Sequence, residues 1–272
     1  MLFVYLHFFV AQSLEVWYTI IDILYLKRGI GMEYVNILGV KVNKLSMKEA
    51  VEKASTLLNT DCLSTIYTPN SEIILYASEN SEFTDVINSA DMVVPDGIGV
   101  VYGSKILGNP LRERVAGFDL VCNLFEVMAK EGKSVYLLGA KPGVAVAAAE
   151  NLQKKYSGLV IAGTHDGYFK DDEEVIKDIN NASPDFLMVC LGFPKQEMWI
   201  YNNRERLNAK LAIGAGGCLD VFAGTVQRAP QFYCDHGIEW LYRLIKQPSR
   251  FMRMLALPKF GFKVILKGRR YK

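Results

Sequence analysis

From Met32 onward, short apolar runs alternate with amphipathic stretches of about 10 to 15 residues, a pattern typical of β-strands that alternate with α-helices. The predicted strands are Val35–Val42, Leu63–Tyr67, Met92–Val94, Val135–Leu138, Leu159–Ala162, Phe186–Cys190 and Leu211–Ile213. The alternation predicts an α/β fold with a Rossmann-like, mostly parallel sheet and flanking helices, followed by a basic C-terminal helical appendage.

Helices are predicted between these strands. A capping box at Ser46–Glu49, in which each side chain satisfies an exposed backbone donor of the other residue, marks the start of the first helix. Further helices are predicted near Ser71–Ser78, Phe118–Lys130, Gly143–Tyr156, Asp171–Asn180 and Lys195–Arg206.

The chain divides into three predicted segments: an N-terminal extension at 1–31, an α/β core at 32–227 and an appendage at 228–272. The extension is apolar, but it lacks the basic start and small-residue cleavage site of a signal peptide. Glu15 and Asp22 disfavour a membrane-spanning helix, because each costs about 3 kcal/mol near a bilayer centre. We expect this extension to be dispensable.

Charge is distributed unevenly along the 272 residues. Residues 228–272 carry a net charge of +9, whereas the rest of the chain carries −7. Aromatic and aliphatic residues interrupt the basic positions, and no acid follows Glu239. Such a segment suits an anionic membrane surface or a nucleic-acid backbone, and an ordinary solvated helix is the alternative.

Polar and glycine-rich segments follow five of the predicted strands. Ligands of parallel α/β sheets bind at the carboxyl ends of the strands, so these segments are expected to form a site together. They are Thr68–Asn70, Pro95–Gly99, Gly139–Gly143, Gly192–Gln196 and Gly214–Gly217.

Asp96 is the candidate general base of this edge. Its Pro95-Asp96-Gly97 setting is also that of an ordinary turn, but a carboxylate at a strand exit is well placed to take a proton from a sugar hydroxyl. Thr68 and Asn70 have two roles open to them, as pocket residues or as caps of the following helix.

The sequence offers weak evidence for a cofactor. Gly139-x-x-x-Gly143 suits either a nucleotide phosphate or a tight turn, and it lacks the spacing of the dinucleotide fingerprint. Five scattered cysteines form no C-x-x-C pair, and no metal motif is present. We therefore expect no metal and no cofactor.

Without a metal, arginines would have to neutralise the negative charge on a leaving group. Arg243, Arg250 and Arg253 have helical spacing and are the candidates. The alternative is that they are ordinary surface cations.

Several motifs together carry a resemblance to a known family. They are Thr68-Pro-Asn-Ser-Glu72, Ala90-Asp-Met-Val-Val-Pro-Asp-Gly97, Arg114-Val-Ala-Gly117, Leu191-Gly-Phe-Pro-Lys-Gln-Glu197 and Ala215-Gly-Gly217. In this order they resemble the WecG/TagA/CpsF glycosyltransferases, from about Met32 to the C-terminus. Ser71 departs from the pattern, since family members often have proline there.

The resemblance implies an inverting enzyme that moves N-acetylmannosamine from UDP-N-acetylmannosamine to N-acetylglucosaminyl-diphospho-undecaprenol, an early step of wall teichoic acid synthesis. It implies that Asp96 is the base, that Thr68 and Asn70 line the pocket, and that Arg243, Arg250 and Arg253 complete the site. Further implied contacts with the nucleotide sugar are Arg114, Tyr168, Gln196 and Asp220. It also implies peripheral docking of the appendage at the cytoplasmic face of the membrane.

Other functions stay open on the sequence alone. A related transferase could use another UDP-sugar for exopolysaccharide or antigen synthesis. A nicotinamide-dependent oxidoreductase would explain the α/β pattern but not the basic tail, and a nucleic-acid-binding module would explain only the tail. We expect no nucleic-acid partner. Whether copies associate into a homo-oligomer through the apolar face of the tail is also open.

Overall fold

A computed structural model describes residues 32–248 and 251–271. The predicted extension at 1–31 lies outside the described residues. From Tyr34 onward, the described residues form one compact unit.

Six parallel strands form the central sheet. The strands of the chain are β1 (Tyr34–Ile37), β2 (Val40–Asn43), β3 (Ser64–Tyr67), β4 (Met92–Val93), β5 (Ser134–Gly139), β6 (Val160–His165), β7 (Phe186–Cys190) and β8 (Leu211–Gly214). The sheet order is β4-β3-β8-β7-β5-β6, and every neighbouring pair is parallel. The predicted Rossmann-like α/β class with a parallel sheet is confirmed.

The first predicted strand, Val35–Val42, is wrong as a single strand. It is a hairpin of β1 and β2 that pair with each other and form a separate two-stranded sheet. Leu38 and Gly39 form the turn with positive φ angles of 54° and 102°. Asn36 Oδ1 accepts a hydrogen bond from Gly39 N at 2.9 Å. Leu38 is buried, so the turn carries an apolar residue and the chain shows no polar break there.

Helices follow the strands as the alternation predicts. They are α1 (Met47–Leu57), α2 (Ser71–Ala77), α3 (Ser81–Asn88), α4 (Ile98–Ile106), α5 (Gly117–Glu131), α6 (Val144–Lys155), α7 (Asp172–Ala182), α8 (Lys195–Asn203), α9 (Cys218–Phe222), α10 (Gln231–Asp235), α11 (Glu239–Lys246), α12 (Phe251–Met254) and α13 (Ala256–Lys267). The capping box at Ser46 and Glu49 is present. Helices α3, α4 and α9 were not predicted. In the part of the chain that the structure describes, no helix has the length and apolarity needed to cross a bilayer.

Burial of the sheet explains why the strands read as continuous apolar runs. All five residues of Phe186–Cys190 are buried, as is typical of a parallel strand covered on both faces. Because the six strands run the same way, their carboxyl ends meet at one edge. That edge carries the candidate site.

The C-terminal helix α13 contributes to the core. It packs on α2 and α4, and its Phe260 and Val264 side chains are only 2% and 1% exposed. A Cβ added at Gly103 of α4 would lie 3.1 Å from the Phe260 ring, so the glycine permits the close approach. Lys263 adds an ion pair with Glu79 at 2.9 Å. Part of the basic segment is thus held firmly against the α/β region.

Two phenylalanines of α13 test this packing. Phe260→Ala should lower the free energy of unfolding by about 3–5 kcal/mol, because a buried aromatic ring is lost. Phe262→Ala, on the same helix but 65% exposed, should change it by less than about 0.5 kcal/mol. Urea unfolding of both variants measures the difference. Equal midpoints would show that α13 is not part of the folded core.

Candidate active site

Three adjacent strand exits form the base of the candidate site. Strands β4, β3 and β8 lie side by side in the sheet. Asp96 follows β4, Thr68 and Asn70 follow β3, and Gly214–Gly217 begins at the end of β8. The expected meeting of these segments at one edge is confirmed.

Backbone hydrogen bonds hold the Asp96 loop in place. Asp96 N donates to Pro69 O at 3.2 Å, which joins the β4 exit to the β3 exit. Val115 N donates to Pro95 O at 3.0 Å, which brings the Arg114 loop alongside. Asp96 and Arg114 are therefore neighbours because main-chain contacts place both of their loops.

A chain of alternating charges extends from Asp96. Arg114 Nη2 lies 3.7 Å from Asp96 Oδ1 and 2.8 Å from Glu239 Oε2. Glu239 also pairs with Arg243, one turn further along α11. Arg114 and Glu239 are largely shielded from solvent, with side chains 18% and 13% exposed. The C-terminal segment thus supplies two charged groups to the site.

The surroundings of Asp96 make its carboxyl group more basic than usual. Burial raises its pKa from 3.8 to about 6, and the Arg114 guanidinium opposes that rise. The negative charges of Glu239 and Asp119 raise the pKa further, whereas Arg243 lowers it. Solvent still reaches 33% of the side chain. Asp96 is therefore an accessible carboxylate with a proton affinity suited to general base chemistry near neutral pH.

Sequence reasoning missed three charged residues of this site. Glu239 joins Arg114 to Arg243, and Arg228 pairs with Asp119 at 2.6 Å. The Arg228 guanidinium also lies 4.6 Å from the centre of the Phe118 ring. These residues lie outside the segments that follow the strands, where ligand sites of parallel sheets are expected. The position of Glu239 as the last acid in a basic segment was the one available signal.

The two residues that follow β3 are held by local contacts. Asn70 caps α2, since its Oδ1 accepts hydrogen bonds from Glu72 N at 2.9 Å and Ile73 N at 3.1 Å. The capping role of Asn70 is thus confirmed, and its contact with substrate stays a prediction. Thr68 packs against Gly117, where an added Cβ would lie 2.9 Å from the hydroxyl oxygen.

The tail arginines do not share one helix. Arg243 lies in α11 and Arg253 in α12, contrary to the single helical face that their spacing suggests. Arg253 makes a two-point ion pair with Glu72, with Nε and Nη2 each 3.0 Å from a carboxylate oxygen. Glu72 is in the first turn of α2, next to the β3 exit. Arg250 lies outside the described residues.

Gln196 supports the glycine-rich turn after β8. Its buried side chain accepts a hydrogen bond from Gly216 N at 3.0 Å and donates one to Glu197 Oε1 at 2.9 Å. Burial raises the pKa of Glu197. Gln196 therefore holds the backbone of the turn, and its contact with the nucleotide sugar stays a prediction.

Asp220 and Tyr168 belong to the segments that follow β8 and β6. Asp220 is in α9, and its main-chain oxygen accepts a hydrogen bond from Thr225 Oγ1 at 2.9 Å. Tyr168 follows β6 at the opposite edge of the sheet from β4, a separation of roughly 24 Å at the usual strand spacing. Its side chain is 67% exposed. The structure does not bring Tyr168 together with Asp96.

The Gly139–Gly143 loop has a structural explanation. A Cβ at Gly139 would lie 2.3 Å from Cys190 O, so close packing of β5 on β7 requires glycine there. Gly143 has a φ of +82° before α6, which also favours glycine. Metal ligands are not clustered either: residues 32–248 and 251–271 contain no group of three or more His, Cys, Asp or Glu side chains placed to hold an ion.

Comparisons with known proteins identify the family. The family model described as Glycosyl transferase WecG/TagA/CpsF matches residues 35–272. A Bacillus spizizenii protein is 42% identical over 195 residues, which cover 72% of this chain and 76% of its own length. A Bacillus subtilis protein is 40% identical over 200 residues, covering 74% and 78%. A Staphylococcus aureus protein is 35% identical over 240 residues, covering 88% and 94%. The chain belongs to the WecG/TagA/CpsF glycosyltransferase family.

Membership in this glycosyltransferase family decides among the classes that the sequence left open. The three similar proteins share the name N-acetylglucosaminyldiphosphoundecaprenol N-acetyl-beta-D-mannosaminyltransferase. The chain is therefore classed with the glycosyltransferases. Nicotinamide-dependent oxidoreductases and nucleic-acid-binding modules, the other two classes considered, are different classes of protein. The resemblance predicted from the motifs is confirmed.

The carboxyl group of Asp96 in this glycosyltransferase should reduce the stability of the fold. Because its pKa is raised to about 6, the wild-type protein should lose stability as the pH rises from about 4 to 6. The free energy of unfolding of Asp96→Asn should therefore be about 1–2 kcal/mol higher than that of wild type at pH 8. At pH 4 the two free energies of unfolding should be equal. Urea unfolding at both pH values measures this.

Asp61→Asn is the control, since it removes an exposed carboxylate that precedes β3, at the end of this strand opposite to the exit that carries Thr68. It should show the same small difference from wild type at both pH values. An Asp96→Asn protein that is less stable than wild type at pH 8 would show that attraction to Arg114 outweighs the burial of Asp96.

Proposed function

We propose that this glycosyltransferase moves N-acetylmannosamine from UDP-N-acetylmannosamine to N-acetylglucosaminyl-diphospho-undecaprenol with inversion, forming a β-linkage. The observation that carries the proposal is the shared name of relatives that are 35–42% identical over most of this chain. That name specifies the lipid-linked acceptor and the mannosaminyl group. A UDP donor and a place early in wall teichoic acid synthesis follow from the family resemblance.

Asp96 is the proposed base. It takes the proton from the acceptor hydroxyl while that oxygen attacks the anomeric carbon of the donor. The bond between this carbon and the diphosphate oxygen breaks on the opposite face, and UDP leaves with the electron pair. A pKa of about 6 leaves Asp96 mostly ionised above neutral pH and more basic than an ordinary aspartate.

Arginines are the proposed partners of the departing diphosphate. Arg114 lies 3.7 Å from Asp96, Arg243 pairs with Glu239 in the same chain of charges, and Arg253 is anchored near the β3 exit by Glu72. Guanidinium groups bind phosphate oxygens through two parallel hydrogen bonds, and such donors stabilise developing charge best where water is excluded. Arg250 is assigned to the same group by the resemblance alone.

The remaining contacts of the nucleotide sugar are proposed from the resemblance. Thr68, Asn70, Gln196 and Asp220 belong to the exits of adjacent strands or to the helix that follows β8. A bound UDP-sugar extending along the strand ends from Asp96 would pass these positions. Tyr168 would meet the uridine only at the far end of such a path.

The C-terminal helices are the proposed membrane-docking surface, defined here as the exposed apolar side chains of 245–266. They are exposed by 57–73%: Ile245, Phe251, Met252, Phe262, Ile265 and Leu266. Basic residues lie among them, which suits an anionic bilayer that holds the lipid acceptor. We propose peripheral association on this basis, and the family resemblance adds that the cytoplasmic face of the membrane is the one bound.

The reaction is tested by UDP release from UDP-N-acetylmannosamine with and without the lipid-linked acceptor. Acceptor-dependent release is expected for wild type. Asp96→Asn should reduce kcat by about 10²–10⁴-fold, because general base catalysis is lost while the fold is kept. Activity near the wild-type level in this variant would remove Asp96 from the mechanism. Release only from another UDP-sugar would favour a related transferase of exopolysaccharide or antigen synthesis.

Membrane docking is tested with vesicles of phosphatidylglycerol and phosphatidylcholine. Substituting Met252 and Phe262 together by serine should lower the affinity for these vesicles about tenfold or more, since two exposed apolar side chains no longer enter the bilayer. Cosedimentation with the vesicles measures this affinity. Val146→Ser, which changes a half-exposed apolar residue of α6, is the matched control. Unchanged vesicle binding with a change in oligomeric state would assign this surface to a homo-oligomer instead.

A further inference from the structure

One guanidinium group faces two carboxylates in the candidate site. Arg114 Nη2 is 2.8 Å from Glu239 Oε2, a hydrogen-bonding distance, and 3.7 Å from Asp96 Oδ1, which is too long for a hydrogen bond. Arg114 therefore donates a hydrogen bond to Glu239, whereas it lies near Asp96 without a hydrogen bond to it.

Glu239 is well placed to control this geometry. Its side chain is 13% exposed and is shared between Arg114 of the α/β region and Arg243 of its own helix. The Nε atom of Arg114 is buried and has no hydrogen-bond partner within the described residues. The orientation of the Arg114 guanidinium therefore depends strongly on its contact with Glu239.

We propose that Glu239 is a positioning residue that holds the Arg114 guanidinium back from Asp96. The base is then left without a direct arginine hydrogen bond and keeps a higher proton affinity for the acceptor hydroxyl. This inference rests on the proposed role of Asp96. It also means that the placement of helix α11, in the C-terminal segment, sets how basic Asp96 is.

The charges around Asp96 determine the direction of the expected effect. Four charged groups interact electrostatically with Asp96: Arg114 from the loop before α5, Asp119 from α5, and Glu239 and Arg243 from α11. A further titratable group that interacts with it is the Cys218 thiol from α9. Loss of the Glu239 charge removes a repulsion that raises the pKa of Asp96. It also frees Arg114 to pair with Asp96 directly. Both changes favour the ionised carboxylate, so both lower the pKa.

The experiment compares pH profiles of kcat/KM for wild type, Glu239→Gln, Glu239→Asp and Asp96→Asn. Glu239→Gln should move the acidic limb down by about one pH unit and lower the plateau about three- to tenfold, because the base is weaker. Glu239→Asp, which keeps the charge, should restore the limb towards the wild-type position. A loss of packing alone would lower the rate without moving the limb.

Glu79→Gln is the matched control. It removes another ion pair between the C-terminal segment and the α/β region, that of Lys263, away from the candidate site. Its acidic limb should stay at the wild-type pH. Equal shifts in Glu79→Gln and Glu239→Gln would overturn the proposal, since loosening of the segment would then explain both.

A direct titration separates the inference from the proposed function. With ¹³C-labelled aspartate, the carboxyl signal of Asp96 is assigned by its absence in Asp96→Asn, and its pKa is read in wild type and Glu239→Gln. A lower pKa in Glu239→Gln supports the positioning role. An unchanged pKa overturns it even if Asp96 proves to be the base. An acidic limb that persists in Asp96→Asn would overturn the proposed base, and the catalytic part of this inference with it.

Discussion

A carboxylate that is kept mostly out of water needs cations near it, and the site of this glycosyltransferase is organised around that requirement at Asp96. Arg114 approaches from the α/β region and Arg243 from the C-terminal segment. Two arginines so close together repel each other unless an anion lies between them, and Glu239 fills that position. The resulting chain of charges joins distant parts of the sequence at the point where chemistry is proposed.

The C-terminal segment combines two kinds of surface. At α13, Phe260 and Val264 are buried and fix the helix on α2 and α4. Other side chains of the same helix, such as Phe262 between these two residues, and residues of α12 remain exposed, Met252 by 73%. A helix that is anchored by one face can present an apolar surface on another without separating from the enzyme. The same anchoring keeps Arg243 and Arg253 within reach of the strand exits.

Local sequence signals predicted most of the fold and the centre of the site. The parallel sheet followed from apolar runs such as Phe186–Cys190, which are fully buried as expected. Asp96 was found because a carboxylate at a strand exit has a position that the strand pattern alone defines. The Val35–Val42 hairpin was missed because its turn contains buried Leu38 and no polar residue. Helix α4 was missed because its glycines, among them Gly103, weaken the helical pattern while permitting tertiary contact.

Glu239 shows why the remaining part of the site was not predictable. Its partner Arg114 is 125 residues away, and no spacing rule connects a residue before α5 with one in α11. The charge pattern identifies Glu239 only as the last acid before a basic tail. Its importance appears only when burial is known, because an ion pair shielded from water has a strength and direction that an exposed pair lacks. A residue such as Glu239, which is proposed to act on Asp96 through the side chain of Arg114, is therefore identified only from the three-dimensional structure. Asp96 itself can be identified from the sequence.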